Sequence, residues 1–453
     1  MIRPRIASIP FSIALIFCVH LLAWPGSVFG QGLEDVKANY TKYEYRVPMR
    51  DGVNLFTSVY VPKDQSQKYP IMLSRTPYSV APYGTDAYRT DLGPSPFFGK
   101  DGFIVVYQDV RGCWMSEGEF VNMRPHRPQK SGPQDIDESS DTYDTIDWLV
   151  KNVAGNSGRV GLWGISYPGF YTAAGMIDAH PALKAASPQA PVTDWFTGDD
   201  WHHNGALLLP HAFNFLASFG HPRPEPTKKS RERVDFGTPD GYDFFLRMGP
   251  LASANSRYFK NDVPFWNEIM QHGTYDDFWK ARNLRPHLKN IKPAVMTVGG
   301  WFDAENLFGA LETYKNVEAS SPGATNILVM GPWRHGGWAR SGGDSLGPVP
   351  FNSKTSEFYR EKIEFPFFQY YLKGKGSPSF PEAYVFETGS NQWKKYDQWP
   401  PRNLKPRSIF LQGQGGLSFE PPGASEDASF DEYASDPAHP RSEEHTSELQ
   451  SPC

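Results

Sequence analysis

The chain has 453 residues, a formal net charge of −5 and an aromatic content of 15%. That length suits two or three domains with sizeable cores. The small net charge and the lack of any basic block argue against a nucleic-acid partner. Cys18, Cys113 and Cys453 are too few, and too far apart, for a disulfide framework or a cysteine-based structural zinc.

Residues 1–30 read as a secretory signal. Arg3 and Arg5 form a positive start, Ile13 to Trp24 is apolar except for His20, and Val28-Phe29-Gly30 supplies small residues before Gln31. The apolar core is shorter than the roughly 20 residues a spanning helix needs, which argues against a stable membrane anchor. Leu15-Ile16-Phe17-Cys18 is a poor lipid-attachment site, because Phe17 is bulky. The expectation is a secreted or periplasmic bacterial protein. At the other end, Arg441 to Cys453 resembles a translated sequencing adapter. It is set aside, with the expectation that the natural chain continues beyond residue 440.

From Tyr43 the pattern becomes strands and turns. Tyr43–Met49 and Val53–Val61 alternate around Asp51-Gly52, a hairpin signal. Tyr69–Arg75 and Gly102–Asp109 read as buried strands. Asp141–Asn152 has helical spacing with carboxylates in its first turn. Arg159–Ile165 is a strand running into Gly164-Ile165-Ser166-Tyr167-Pro168-Gly169, and a helix-compatible run follows to Ile177. Leu183–Ala190 is another buried run. Residues 195–290 break the alternation and are too long for a structureless loop, so a helical cap is expected there. Alternation resumes with a strand at 292–303, a helix from Glu305 to about Val317, a strand at 326–335 and a helix at 355–373. Strands alternating with helices imply a parallel sheet with crossovers. After residue 376 short strands suggest a second domain of β type.

Glycine–x–serine between a strand and a helix marks a nucleophile elbow, the tight turn that exposes a serine hydroxyl in α/β-hydrolases. Here the second glycine, Gly169, comes one residue later than usual. A serine needs a base, and the base an orienting carboxylate, in the chain order Ser, acid, His. His335 follows both the elbow and the insertion and ends a strand of the sheet. Asp303 ends the preceding strand, and the triad role is preferred to the plainer one of capping the helix that follows. Ser166, Asp303 and His335 are the candidate triad. The backbone amide of Tyr167 is one oxyanion donor. Tyr78 offers a phenolic hydroxyl in a chain that has no His-Gly-Gly-Gly run, though packing alone would also explain it.

Taken together, Arg75-Thr76-Pro77-Tyr78, Asp109-Val110-Arg111-Gly112, Gly164-x-Ser166-Tyr167-x-Gly169, Gly198-Asp199-Asp200-Trp201, Trp301-Phe302-Asp303-Ala304-Glu305 and Gly331-Pro332-Trp333-Arg334-His335 resemble the α-amino-acid ester hydrolases. Their relatives in the CocE/NonD group include cocaine esterases, glutaryl cephalosporin acylases and X-prolyl dipeptidyl peptidases. The match covers roughly residues 40–400. The resemblance implies an α/β-hydrolase domain in two parts (31–194 and 291–376), a cap at 195–290, and a jelly roll beginning at 377 and running to 440. It implies Tyr78 as oxyanion donor, and a carboxylate cluster for a substrate α-ammonium at Asp200, Glu305 and position 306, where this chain carries Asn306. Arg111 and Cys113 fall on a turn read as structural, with Arg111 tying loops through a carboxylate.

The expected activity is hydrolysis of esters or amides of small acyl groups, α-amino-acid esters and β-lactam-type amides among them, through an acyl-enzyme without metal or cofactor. The rival readings are an X-Pro dipeptidyl peptidase, a general carboxylesterase and, from a different class, a non-catalytic binding protein on a hydrolase scaffold. A homo-oligomer is compatible with the sequence.

Overall fold

The computed structural model describes residues 31–230, 234–377, 379–423, 434 and 436. The signal sequence expected at 1–30 and the adapter-like segment at 441–453 lie outside them.

Ten strands form one mixed sheet. They are β1 (Tyr40–Pro48), β2 (Asn54–Pro62), β3 (Tyr69–Thr76), β4 (Ile104–Asp109), β5 (Asn156–Ile165), β6 (Leu183–Gln189), β7 (Ala294–Gly300), β8 (Asn326–Gly331), β9 (Ala383–Glu387) and β10 (Gln392–Tyr396). In space the order is β1-β2-β4-β3-β5-β6-β7-β8-β9-β10. The β1–β2 hairpin turns at Asp51-Gly52 as the sequence predicts, with Pro48 opposite Asn54. From β4 to β9 neighbours run parallel. Helices cross between them, including α1 (Glu138–Asn152), α2 (Tyr167–Gly175) and, further on, α7 (Leu307–Ser320).

Strands β4, β7 and β8 are buried along their whole length because both faces are covered. In β3, Ile71 and Leu73 pack toward Ile146 and Leu149 of α1. Met72, between them, packs on the opposite face with Phe367, Phe368 and Leu372 of the helical rod at 355–373.

The insertion between β6 and β7 contains α3 (Leu209–Phe219), α4 (Gly241–Met248), α5 (Pro264–Gln271) and α6 (Asp277–Arg282). Aromatic rings hold it together. Phe213 stacks on Phe259 at 4.7 Å between centroids, and Trp195 on Trp201 at 4.2 Å.

One boundary differs from expectation. The sheet runs past residue 377, where the sequence places a new domain. β9 adds in parallel to β8, from Leu328↔Ala383 to Met330↔Val385, and β10 returns antiparallel. The run Ala383–Phe386 is buried, so pairing with β8 removes its apolar side chains from water. Beyond it, Phe410–Gln412 pairs with Gly416–Ser418 in a small ribbon.

Arg111 ties loops as expected. Its guanidinium donates to Asp51 at 2.7 Å and to the buried Asp141 at 2.7 Å. Cys113 is buried and free, and burial pushes its thiol well above the usual range.

Candidate active site

Ser166 sits where β5 turns into α2, with φ 67° and ψ −126°. Few side-chain-bearing residues adopt such a backbone, and it persists only when the surroundings enforce it. The two glycines show how. A Cβ on Gly164 would lie 2.3 Å from the Pro168 carbonyl oxygen, and one on Gly169 would lie 2.5 Å from the Gln189 oxygen. The late glycine is therefore the one that passes the end of β6. Pro168 needs no N–H partner in the first helical turn. The Ser166 amide donates to the Gln189 carbonyl at 2.9 Å, locking the turn to β6.

Asp303 and His335 follow the ends of β7 and β8. Two strand-end glycines make room for Trp333 between them. A Cβ on Gly300 would lie 2.2 Å from the Trp333 carbonyl oxygen, and one on Gly331 would lie 2.4 Å from its indole ring. The Phe302 amide donates to that same carbonyl at 3.1 Å. This joint brings His335 Nδ1 to 2.9 Å from Asp303 Oδ2. The other carboxylate oxygen accepts the amides of Glu305 and Asn306, both at 2.9 Å. Asp303 thus pairs with His335 and also braces the turn that leads into α7, whose own N-cap is Asn306. Burial opposes its charge, but His335 and the two amides outweigh burial and hold the carboxyl below its usual range. Burial likewise opposes the imidazolium of His335, and Asp303 and then Glu305 overcome it, pushing the ring up to about 9.

Tyr78 follows β3, its loop pinned by the Trp114 indole donating to the Pro77 carbonyl at 2.9 Å. The residue is 43% exposed, yet its hydroxyl is buried against Ser166. These agree because the ring looks outward while its tip points in. Burial, then Asp200 and Glu305, push the phenol well above its usual range, which keeps it a proton donor. The Tyr167 ring is buried, and its hydroxyl accepts from the Met123 amide at 2.8 Å and donates to Asn122 at 3.2 Å. That leaves its backbone N–H, at the first helical position, without an intrahelical acceptor. The outward ring of Tyr78 borders a cavity of about 730 Å³ that is also lined by Trp114, Phe120, Phe215, Phe219 and Arg282.

The expected carboxylate cluster comes together, with one addition and one change of role. Asp200, at φ 49°, receives the Trp195 indole N–H at 2.8 Å and the Asn306 amide at 2.9 Å on one oxygen. His211 Nε2 lies 3.3 Å from its other oxygen. Glu305 Oε2 lies 3.4 Å from His335 Nε2. Asn306 is fully buried and reaches the pocket only through Asp200 and Asp199, so it orients the cluster and does not line the pocket. Donor atoms of Asp200, His211 and Glu305 fall within 4.8 Å of one another, a spacing that suits a compact cation such as an ammonium. Burial opposes the charge of His211, but Asp200 and Glu305 raise its ring above the ordinary value. Asp199 is a clamp. It accepts from the Thr193, Asp194 and Gly309 amides at 2.7, 3.0 and 2.8 Å, and burial, reinforced by Asp200, pushes it up to about 7.

His211 is a site residue that the strand-end argument does not reach, because it lies in the insertion. A signal existed, because His211, Phe215 and Phe219 share one face of α3 at a spacing of four, and both phenylalanines meet the Tyr78 ring.

Comparison with known proteins bears on the family and the fold. The chain is 27% identical over 413 residues to cocaine esterase of Rhodococcus sp. (strain MB1 Bresler), covering 87% of this chain and 67% of that protein. A selenomethionine-labelled α-amino acid ester hydrolase structure superposes with TM-score 0.80 at 34% identity, over 89% of this chain and 66% of the other. An aminopeptidase from the marine sediment archaeon Thaumarchaeota archaeon superposes with TM-score 0.79 at 37% identity, over 89% and 65%. The chain thus spans about two thirds of the length of these relatives. Residues 51–337, which carry the elbow, the insertion and both triad partners, match the model of the X-Pro dipeptidyl-peptidase (S15) family, and the chain belongs to that family of serine hydrolases.

Proposed function

We propose that the protein is an exported serine hydrolase that cleaves esters or amides of small acyl groups bearing an α-ammonium, with α-amino-acid esters and β-lactam-type amides as the expected substrates. The observation that carries this reading is the pair Asp200 and Glu305 beside Ser166 and His335. An ammonium held by two carboxylates in a weakly screened pocket fixes the acyl group one bond from the reacting carbonyl. The two similar structures point the same way, since one is titled an α-amino acid ester hydrolase and the other an aminopeptidase.

The reaction follows from the residues. His335 Nε2 takes the Ser166 proton while Asp303 steadies the imidazolium through Nδ1. The serine oxygen bonds to the carbonyl carbon, and the displaced electron pair sits on an oxyanion facing the Tyr78 hydroxyl and the Tyr167 amide. Collapse breaks the bond to the leaving group, which departs with the proton from His335. Water then repeats the sequence on the acyl-enzyme. The bordering cavity is wide enough for a bulky group on one side of the scissile bond.

Export is supported at the first described residue. The Gln31 nitrogen lies 2.6 Å from Asp91 Oδ1, so cleavage before Gln31 would create an amino terminus already paired with a carboxylate. Amino-terminal sequencing of the protein recovered outside the cytoplasm should begin at Gln31.

The deciding experiment is a hydrolysis panel of α-amino-acid esters, matched esters without the amino group, β-lactam amides and an X-Pro anilide. A strong rise in KM on removing the amino group is expected, and equal rates would refute the pocket. Preferred cleavage of the X-Pro anilide would favour the peptidase reading, which the family match supports.

A further inference from the structure

The nitrogen that must receive the serine proton is His335 Nε2, because Nδ1 is committed to Asp303. Nε2 faces Glu305 Oε2 at 3.4 Å, and among the hydrogen bonds of the described residues none joins it to the Ser166 hydroxyl. The Glu305 main chain is fixed. Its amide donates to Asp303 and its carbonyl accepts the Asp200 amide at 2.8 Å. Its carboxylate arm is a quarter exposed, in contrast to the main chain that these two bonds pin.

The charged and titratable groups around His335 are Asp303 and Glu305 after β7, Asp200 and His211 of the insertion, and the Tyr78 phenol after β3. Three carboxylates against one other imidazole favour a protonated ring, and a protonated Nε2 has no lone pair for the serine proton. The raised ring of His335 agrees with this. An ammonium arriving between Asp200 and Glu305 would supply the missing positive charge from outside.

We propose that Glu305 is a substrate-released latch on the general base: in the free enzyme its carboxylate holds the Nε2 proton of His335, and an incoming ammonium takes that carboxylate over, so that the proton leaves to solvent and Ser166 gains its base. The inference rests on the ammonium reading of the pocket. It makes Glu305 a positioning residue as well as a binding one, and it places discrimination against uncharged acyl groups in kcat as well as in KM.

The test uses an uncharged alkyl fluorophosphonate, which labels Ser166 only when His335 is unprotonated. On the full chain the labelling rate should rise through pH 9, not through the ordinary histidine value. At pH 7 methylammonium chloride should speed labelling about tenfold over potassium chloride of equal ionic strength, since one unit of pKa is tenfold in the unprotonated fraction. Glu305→Gln should label rapidly at pH 7 and ignore methylammonium. A wild-type profile centred near the ordinary value, an absent methylammonium effect, or a Glu305→Gln profile equal to wild type would each overturn the latch. If Glu305→Gln does not fold, the wild-type methylammonium arm decides alone. A preference for α-amino esters together with no methylammonium effect would remove the latch and leave the substrate reading standing. Equal rates in the hydrolysis panel would remove the substrate reading instead.

Discussion

Two aspartate–histidine pairs lie close together, and their surroundings differ. In Asp303–His335 the carboxylate is steadied by two backbone amides in the turn before α7, and the other ring nitrogen faces Glu305. In Asp200–His211 the carboxylate is steadied by two side chains, Trp195 and Asn306, and both partners come from the insertion. Residue type does not separate the pairs. What differs is the scaffold, because backbone at the ends of packed parallel strands holds a geometry more tightly than side chains from a loop and a helix can. The first pair suits proton transfer and the second suits reading an acyl group.

The contrast can be broken at several points. Ser166→Ala or His335→Ala should lower kcat by at least about 10⁴-fold, read by burst and steady-state kinetics, since members of a triad act as a unit. Tyr78→Phe should cost about 10²–10³-fold in kcat with little change in KM, as loss of one oxyanion donor does. Asp200→Asn should raise KM for an α-amino ester about tenfold or more while sparing the matched ester without the amino group, a hydrogen bond to a charged group being worth about 1.5–3 kcal/mol. The smallest effect is expected for His211→Asn, less than about tenfold in kcat/KM and confined to α-amino esters, because it loosens one partner of a carboxylate that keeps two others. A loss for His211→Asn as large as that for His335→Ala would erase the distinction between the pairs.

The candidate catalytic residues were legible in the sequence because strand ends are. Ser166, Asp303 and His335 each follow an apolar run whose period and glycines announce where it stops, and the chain order leaves one histidine standing. The recognition half was legible only by resemblance. Asp200 and Glu305 carry no pattern of their own, and His211 lay inside an insertion whose packing is aromatic and irregular. Asn306 looked like a missing charge. Its full burial against Asp199 and Asp200 makes it a brace, and an aspartate there would forfeit two donated hydrogen bonds and crowd three carboxylates. The domain edge near 377 was misplaced because short alternating strands read alike at the margin of one sheet and at the start of another.

Trp333 carries a consequence for how this site can vary. One residue's carbonyl and indole fill the space left by Gly300 and Gly331, and the loops bearing Asp303 and His335 both lean on it. A side chain added at either glycine would therefore act on spacing before it acted on stability, shifting the acid relative to the base. Variation in the insertion can retune which acyl group is accepted without touching this joint. The joint and the insertion are thus separate parts of the structure, and in the proposed reading Glu305 is the side chain where they meet.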